Sequence, residues 1–104
     1  STVDTSTAAD DKSSGDALVS GNEEPTRTYT LQINSLDNAD DADKRRAEVL
    51  MAGVDAQIVK KRLNNDQTVY QVISRAMSSP EMAAQAQRQL QNSRIDSLIV
   101  EQRR

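Results

Sequence analysis

The chain contains no cysteine, no histidine, no phenylalanine and no tryptophan, and its 104 residues include only three glycines and two prolines. Each absence closes a route. Without Cys there is neither a disulfide nor a thiolate metal site, and the redox compartment is left open. Without His the commonest general base and metal ligand is gone. Two tyrosines are the only aromatic residues, so a core has to be built from Leu, Ile, Val, Met and Ala. No apolar run approaches the roughly 20 residues that cross a bilayer, and no signal peptide is visible. The length suits one domain, with a modest core. Because it starts at Ser1, the sequence is expected to be a piece of a longer protein whose targeting segment lies elsewhere.

Charge is unevenly spread. Residues 1–27 hold six acids (Asp4, Asp10, Asp11, Asp16, Glu23, Glu24) against Lys12 and Arg27, whereas residues 28–104 hold ten acids and eleven bases. A nearly neutral domain has no general attraction for nucleic acid, and none is expected as a partner. Residues 1–27 are rich in Ser, Thr, Asp, Ala and Gly, with Leu18 and Val19 the one large apolar pair. Such a segment buries too little to offset its ordering entropy and is expected to be a disordered linker. The alternative is that part of it packs on the domain as an extra element. The domain itself is expected over residues 28–104.

From Thr28 the pattern sharpens. Thr28-Tyr29-Thr30-Leu31-Gln32-Ile33-Asn34 alternates, with Tyr29, Leu31 and Ile33 on one face, as in a half-buried strand. Ser35 to Asn38 supplies turn and N-cap chemistry. Residues 39–52 read as a helix with Ala42, Val49 and Leu50 on one side, its early acids Asp40, Asp41 and Asp43 placed where the helix dipole favours them. Gly53 suits the left-handed position that ends a helix. A second strand is expected from Asp55 to Leu63, then a turn at Asn64–Gln67 and a hairpin return over Thr68–Ser74. Ser79 as N-cap and Pro80 as first helical residue open a second helix running to about Gln91. Residues 94–101 read as a last strand.

An offset of 41 residues superposes the two halves. Tyr29 falls on Tyr70, Leu31 on Val72, Leu36 on Met77, Ala42 on Ala83 and Val49 on Leu90; the run Val54–Val59 falls on Ile95–Val100. Each half is therefore strand, helix, strand. Two such units with right-handed crossovers give an α+β, ferredoxin-like βαββαβ domain. Its four-stranded antiparallel sheet has the first and third strands at the centre and both helices on one face.

The other face is left open. It is expected to carry Thr30, Gln32 and Asn34 from the first strand and Val69, Gln71 and Ile73 from the third, with Val59, Lys61 and Leu63 from the second and Leu98 and Val100 from the fourth. This mixture of amides and aliphatic groups reads either as a solvated or segment-capped surface, or as a binding platform.

Several rival functions fit the residues poorly. Asp37, Asp40, Asp41 and Asp43 lack the EF-hand spacing and its glycine, and read as cap and dipole-favoured acids. No pair of acids is placed across a cleft as hydrolysis by paired carboxylates requires, and no His or Cys supports a nucleophile; no enzyme, cofactor or metal is expected. Lys60-Lys61-Arg62 reads as a solvated edge strand protected by charge, and Lys44-Arg45-Arg46 as a solvated helix surface. An RNA-recognition module would need aromatics on the open face, but Tyr29 and Tyr70 point toward the helices. A ferredoxin-like protein-docking or self-association domain remains the rival.

Tyr29-Thr30-Leu31-Gln32-Ile33-Asn34-Ser35-Leu36 resembles the opening of SPOR domains, where an aromatic, an aliphatic residue and Gln precede a Gly-Ser-Phe turn. Gly53-Val54-Asp55-Ala56 is similar to their helix-to-strand passage, Val69-Tyr70-Gln71-Val72 to their third strand, and Ser78-Ser79-Pro80-Glu81 to the start of their second helix. The resemblance spans about residues 28–101. It implies a monomeric, non-catalytic periplasmic module that binds septal peptidoglycan glycan strands lacking stem peptides. It further implies a parent resembling FtsN-like division proteins, held in the inner membrane by one N-terminal helix, with divisome partners for its missing part. Carried over position by position, the binding residues fall on Gln32, Ser35, Val69, Gln71 and Ile73, with Thr30 and Asn34 beside them. The sequence departs from the family at Asn34 (usually Gly), Leu36 (Phe), Val69 (an aromatic), Gln71 (a basic residue) and Arg75-Ala76 (Gly-Pro).

Overall fold

The computed structural model describes residues 26–103. The linker expected over residues 1–27 lies outside them except for its last two positions. The elements run β1 (Arg27–Leu36), α1 (Ala39–Met51), β2 (Ala56–Arg62), β3 (Thr68–Ser74), α2 (Pro80–Asn92) and β4 (Leu98–Arg103). The sheet order is β2-β3-β1-β4, antiparallel throughout, with β1 and β3 at the centre. α1 packs on β1, β2 and β3, and α2 on β1 and β4. This is the ferredoxin-like arrangement expected from the repeat.

The 41-residue offset holds down to single hydrogen bonds. Asn38 caps α1, its Oδ1 accepting from the N–H groups of Asp40 (2.8 Å) and Asp41 (3.1 Å). Its counterpart Ser79 caps α2, its Oγ accepting from the N–H of Met82 (3.1 Å). At the other end, the Val54 N–H donates to the Val49 carbonyl (3.2 Å) and the Ile95 N–H to the Leu90 carbonyl (2.9 Å). Both closures need a left-handed residue, Gly53 at φ +94° and Arg94 at φ +61°. Even the ties from helix to strand repeat. Arg46 Nε donates to the Ala56 carbonyl (3.0 Å), and Gln87 Nε2 donates to the Ser97 carbonyl (2.9 Å).

The core lies between helices and sheet and is aliphatic, as the missing aromatics require. Leu31, Val49, Val72 and Leu90 are its largest fully buried apolar side chains, joined by Ala42, Val54, Ala56, Ala83, Ala86 and Ile95. Tyr29 and Tyr70 pack at its margin. Seven alanine and valine positions among ten buried ones keep the layers close, and alanine at 42, 83 and 86 lets each helix approach the sheet.

Four expectations are corrected. Leu50 is 40% exposed, because it follows Val49 by about 100° around α1 and so turns away from the sheet. Leu63 lies beyond the end of β2 and joins no row of the sheet. The last strand begins at Leu98, not at residue 94, since Arg94 ends α2 in a left-handed conformation and Ile95 drops into the core. The cluster Lys44-Arg45-Arg46 is not wholly solvated. Arg45 and Arg46 are half-buried and hydrogen-bonded toward the sheet.

Candidate functional site

The face of the sheet away from the helices is organised in rows by strand register. Gln57, Ile73, Gln32 and Leu98 are cross-strand partners across all four strands. Val59, Gln71 and Ser35 form the next row across three strands, and Lys61 lies opposite Val69 in the row beyond. Toward the other end, Thr30 pairs with Val100 and Thr28 with Gln102. Side chains in one row sit about 5 Å from their neighbours, and successive rows are about 7 Å apart.

One irregularity in β1 decides what this face presents. Gln32 pairs with Ile73, but Asn34 pairs with Val72, so Ile33 and Asn34 together oppose one residue of β3. This β-bulge shifts the alternation by one. Strict alternation from Tyr29 would send Ser35 to the helices and Asn34 to the open face. With the bulge, Ser35 stands on the open face opposite Gln71, and Leu36 packs against the core opposite Tyr70. Asn34 turns toward α1, where its Oδ1 accepts a hydrogen bond from Arg45 Nε (2.7 Å). Arg45 also donates to Glu48 Oε1 (2.9 Å), so the bulge is tied to the helix layer.

The placement of Asn34 on the open face is therefore corrected; its carboxamide is committed to Arg45. Thr30 keeps its row but is only 7% accessible, which leaves it little to offer a large ligand. Gln32, Ser35, Val69, Gln71 and Ile73 share the open face. Sequence reasoning passed over Gln57, which extends the Gln32 row on β2, and did not count Leu98, the most exposed apolar residue of that row, at 63% accessible, among the binding residues. The alternation that placed Val59 on this face points to Gln57 as well, two residues earlier on the same strand.

Between the two rows runs an open groove of about 220 Å³, lined by Gln32, Ile33, Asn34, Ser35, Gln71, Ile73 and Leu98. Its polar groups are two side-chain amides and a hydroxyl, which donate and accept at once. Its walls are aliphatic. Among the described residues no three His, Cys, Asp or Glu side chains gather to hold a metal ion. The groove fits a neutral, hydroxyl- and amide-rich ligand laid over aliphatic surface. A second hollow of about 310 Å³ lies beside α2, lined by Gly53, Val54, Met77, Met82, Ala86 and Gln89 among others. Asp55, Ser74, Arg75 and Gln85 also border it, Asp55 and Arg75 paired with each other at 3.5 Å, and it lies away from the open face.

A family model described as SPOR domain matches residues 25–101. The chain belongs to the SPOR domain family. The match covers the described sheet and helices almost end to end, so the family assignment and the fold concern the same residues. SPOR domains are a non-catalytic family, and this one is a binding module without enzymatic activity of its own. In structure, this SPOR domain is similar to the SPOR domain of RlpA from Pseudomonas aeruginosa, with a TM-score of 0.62 and 19% identity over 70% of this chain and 96% of that one. It is similar too to the peptidoglycan binding domain of the cell wall lytic enzyme CwlC from B. subtilis, with a TM-score of 0.61 and 20% identity over 82% of this chain and 99% of that one. At such identities the likeness speaks for the fold. No curated protein matches the chain in sequence.

Proposed function

We propose that this SPOR domain binds the glycan strands of peptidoglycan, preferring strands that have lost their stem peptides, and thereby brings its parent protein to the division septum. The observation that carries the reading is the meeting of Gln32, Ser35 and Gln71 in one groove, which the bulge in β1 brings about. A glycan strand offers hydroxyl and acetamido groups that side-chain amides can bind from both sides. Ile73, Leu98, Val69 and Val59 give the apolar faces of the sugar rings a surface to rest on. Membership of the SPOR family and the likeness to the domain of CwlC, itself a peptidoglycan binding domain, point the same way. A stem peptide would project from the strand and compete for the narrow space over the two rows, which favours stripped strands. The reading puts the domain in the periplasm, as a monomer, with its parent anchored in the inner membrane by one N-terminal helix and divisome proteins as partners of the remainder.

The chain should co-sediment with purified sacculi, and more so after an amidase has removed the stem peptides. Gln32→Ala should weaken binding roughly threefold to tenfold, as loss of one or two hydrogen bonds would, with unchanged thermal stability. Failure to sediment with either form, or binding indifferent to amidase, rejects the proposal. The exposure of Leu98 favours one competing use of the face, pairing with a second copy. Sedimentation velocity at micromolar concentration separates the two: a glycan binder runs as a monomer, a self-associating domain does not.

A further inference from the structure

Among the described residues, the rows of the open face carry one charged side chain, at the margin of the proposed site. Lys61 lies on the open face in register with Val69, one row beyond Gln71 and Val59. It is exposed, and among the described residues it has no carboxylate partner. Its neighbours in the run behave differently. Arg62 pairs with Asp66 at 3.7 Å, and Lys60 and Arg62 point away from this face by the alternation of the strand. No acidic residue occupies any row of the open face among the described residues. An extended Lys side chain reaches about 6 Å, close to the spacing of one row, so its ammonium can stand over the end of the groove beside Gln71.

We infer that Lys61 is the specificity-determining residue of the face, reading the free carboxylate that a glycan strand acquires when its stem peptide is removed. The inference rests on the glycan reading above. Hydrolysis of the amide joining a muramic acid to its stem peptide adds one water, releases the peptide amine and leaves a lactyl carboxylate on the sugar. Each disaccharide of a stripped strand thus carries one anionic group close to the ring, whereas in an intact strand that position is a neutral amide. The amides of Gln32 and Gln71 and the hydroxyl of Ser35 meet hydroxyl and acetamido groups that both strands possess, so they hold the strand without telling the two apart. A cation at the margin of the groove adds, at the lactyl position, an attraction that only the stripped form offers. Lys60 and Arg62 suffice to guard the edge strand, which leaves the open-face position of Lys61 available for this role.

The test uses the full 104-residue chain and three ligands: intact sacculi, amidase-stripped strands, and stripped strands whose carboxyl groups have been reduced to alcohols. The wild-type chain should bind stripped strands about twofold to fivefold better than carboxyl-reduced ones, the range of one partly solvated ion pair, and that margin should shrink as salt is raised. Lys61→Met should bind stripped and reduced strands equally, without salt dependence, and Lys61→Arg should restore the wild-type preference. If wild type binds stripped strands but Lys61→Met keeps the same preference over reduced ones, the role of Lys61 is overturned while the glycan reading stands. A loss of preference that Lys61→Arg does not restore likewise overturns the charge reading. If wild type binds none of the three ligands, the glycan reading itself has failed. A loss of affinity of Lys61→Met for intact sacculi as large as its loss for stripped strands would show that Lys61 attracts the carboxylates of the stem peptide as well, which also overturns the inference.

Discussion

The two halves of this domain are built alike and used differently. In each, a capped helix of the same length ends in a left-handed residue, and a helix side chain ties down the carbonyl where the next strand begins. The halves part at the end of the first strand. β1 bulges at Ile33 and Asn34 and so delivers Ser35 to the open face. The counterpart of Ile33 in the second half is Ser74, which is buried and accepts the Leu31 N–H at its Oγ (2.7 Å) while donating to the Arg75 carbonyl (3.0 Å). The repeated positions carry the scaffold, and the positions that break the repeat shape the site.

That comparison can be broken in graded ways. The largest effect should come from the matched core pair Val49 and Leu90. Leu90→Ala should cost about 2–5 kcal/mol, and Val49→Ala less because fewer buried carbons are removed. Denaturant unfolding measures both, and equal costs would mean that the second helix is less tightly packed than its complete burial indicates. Next, Ser74→Ala removes the partner of a buried N–H and should cost about 1–3 kcal/mol. The same method applied to Ser35→Ala, on the open face, should find almost none.

Two smaller tests exchange residues between the halves. Ser97 stands where the first half has Ala56, and its buried hydroxyl finds no partner among the described residues. Ser97→Ala should therefore stabilise the domain by about 1 kcal/mol, seen as a raised melting temperature. At the helix ends, Gly53→Ala should destabilise by about 1 kcal/mol, because φ +94° strains any side chain. Contact adds little there, since the new methyl would lie 3.4 Å from Gln89 Nε2. Arg94→Gly should act in the opposite direction by a few tenths to about 1 kcal/mol.

Much of this architecture was legible in the sequence, for physical reasons. A period of 41 residues in the apolar positions can persist only if both units bury the same face, and Asn38, Gly53, Ser79 and Pro80 mark helix ends through their own backbone chemistry. The face carrying Gln32, Gln71 and Ile73 followed from alternation alone. Asn34 was misplaced because alternation was carried one residue too far. The signal was present: apolar residues stand at 29, 31 and 33 and then at 36, so the phase changes between Ile33 and Leu36. The hydrogen bond from Arg45 to Asn34 could not be read from composition or spacing, since it joins residues on different elements. Likewise the left-handed turn at Arg94 was hidden by a residue type that rarely adopts it, and the last strand was begun four residues early as a result.

The central claim is that the open face, and not the helix layer, holds the ligand. It is tested most directly by titrating the isotopically labelled chain with amidase-stripped glycan fragments and following amide and side-chain NMR signals. The account predicts that the signals of Gln32, Ser35, Gln71, Ile73 and Leu98 shift together, the side-chain amides of the two glutamines most of all, while those of α1 and α2 stay in place. Shifts concentrated on the helices or in the hollow beside α2, or none at saturating glycan, would contradict it.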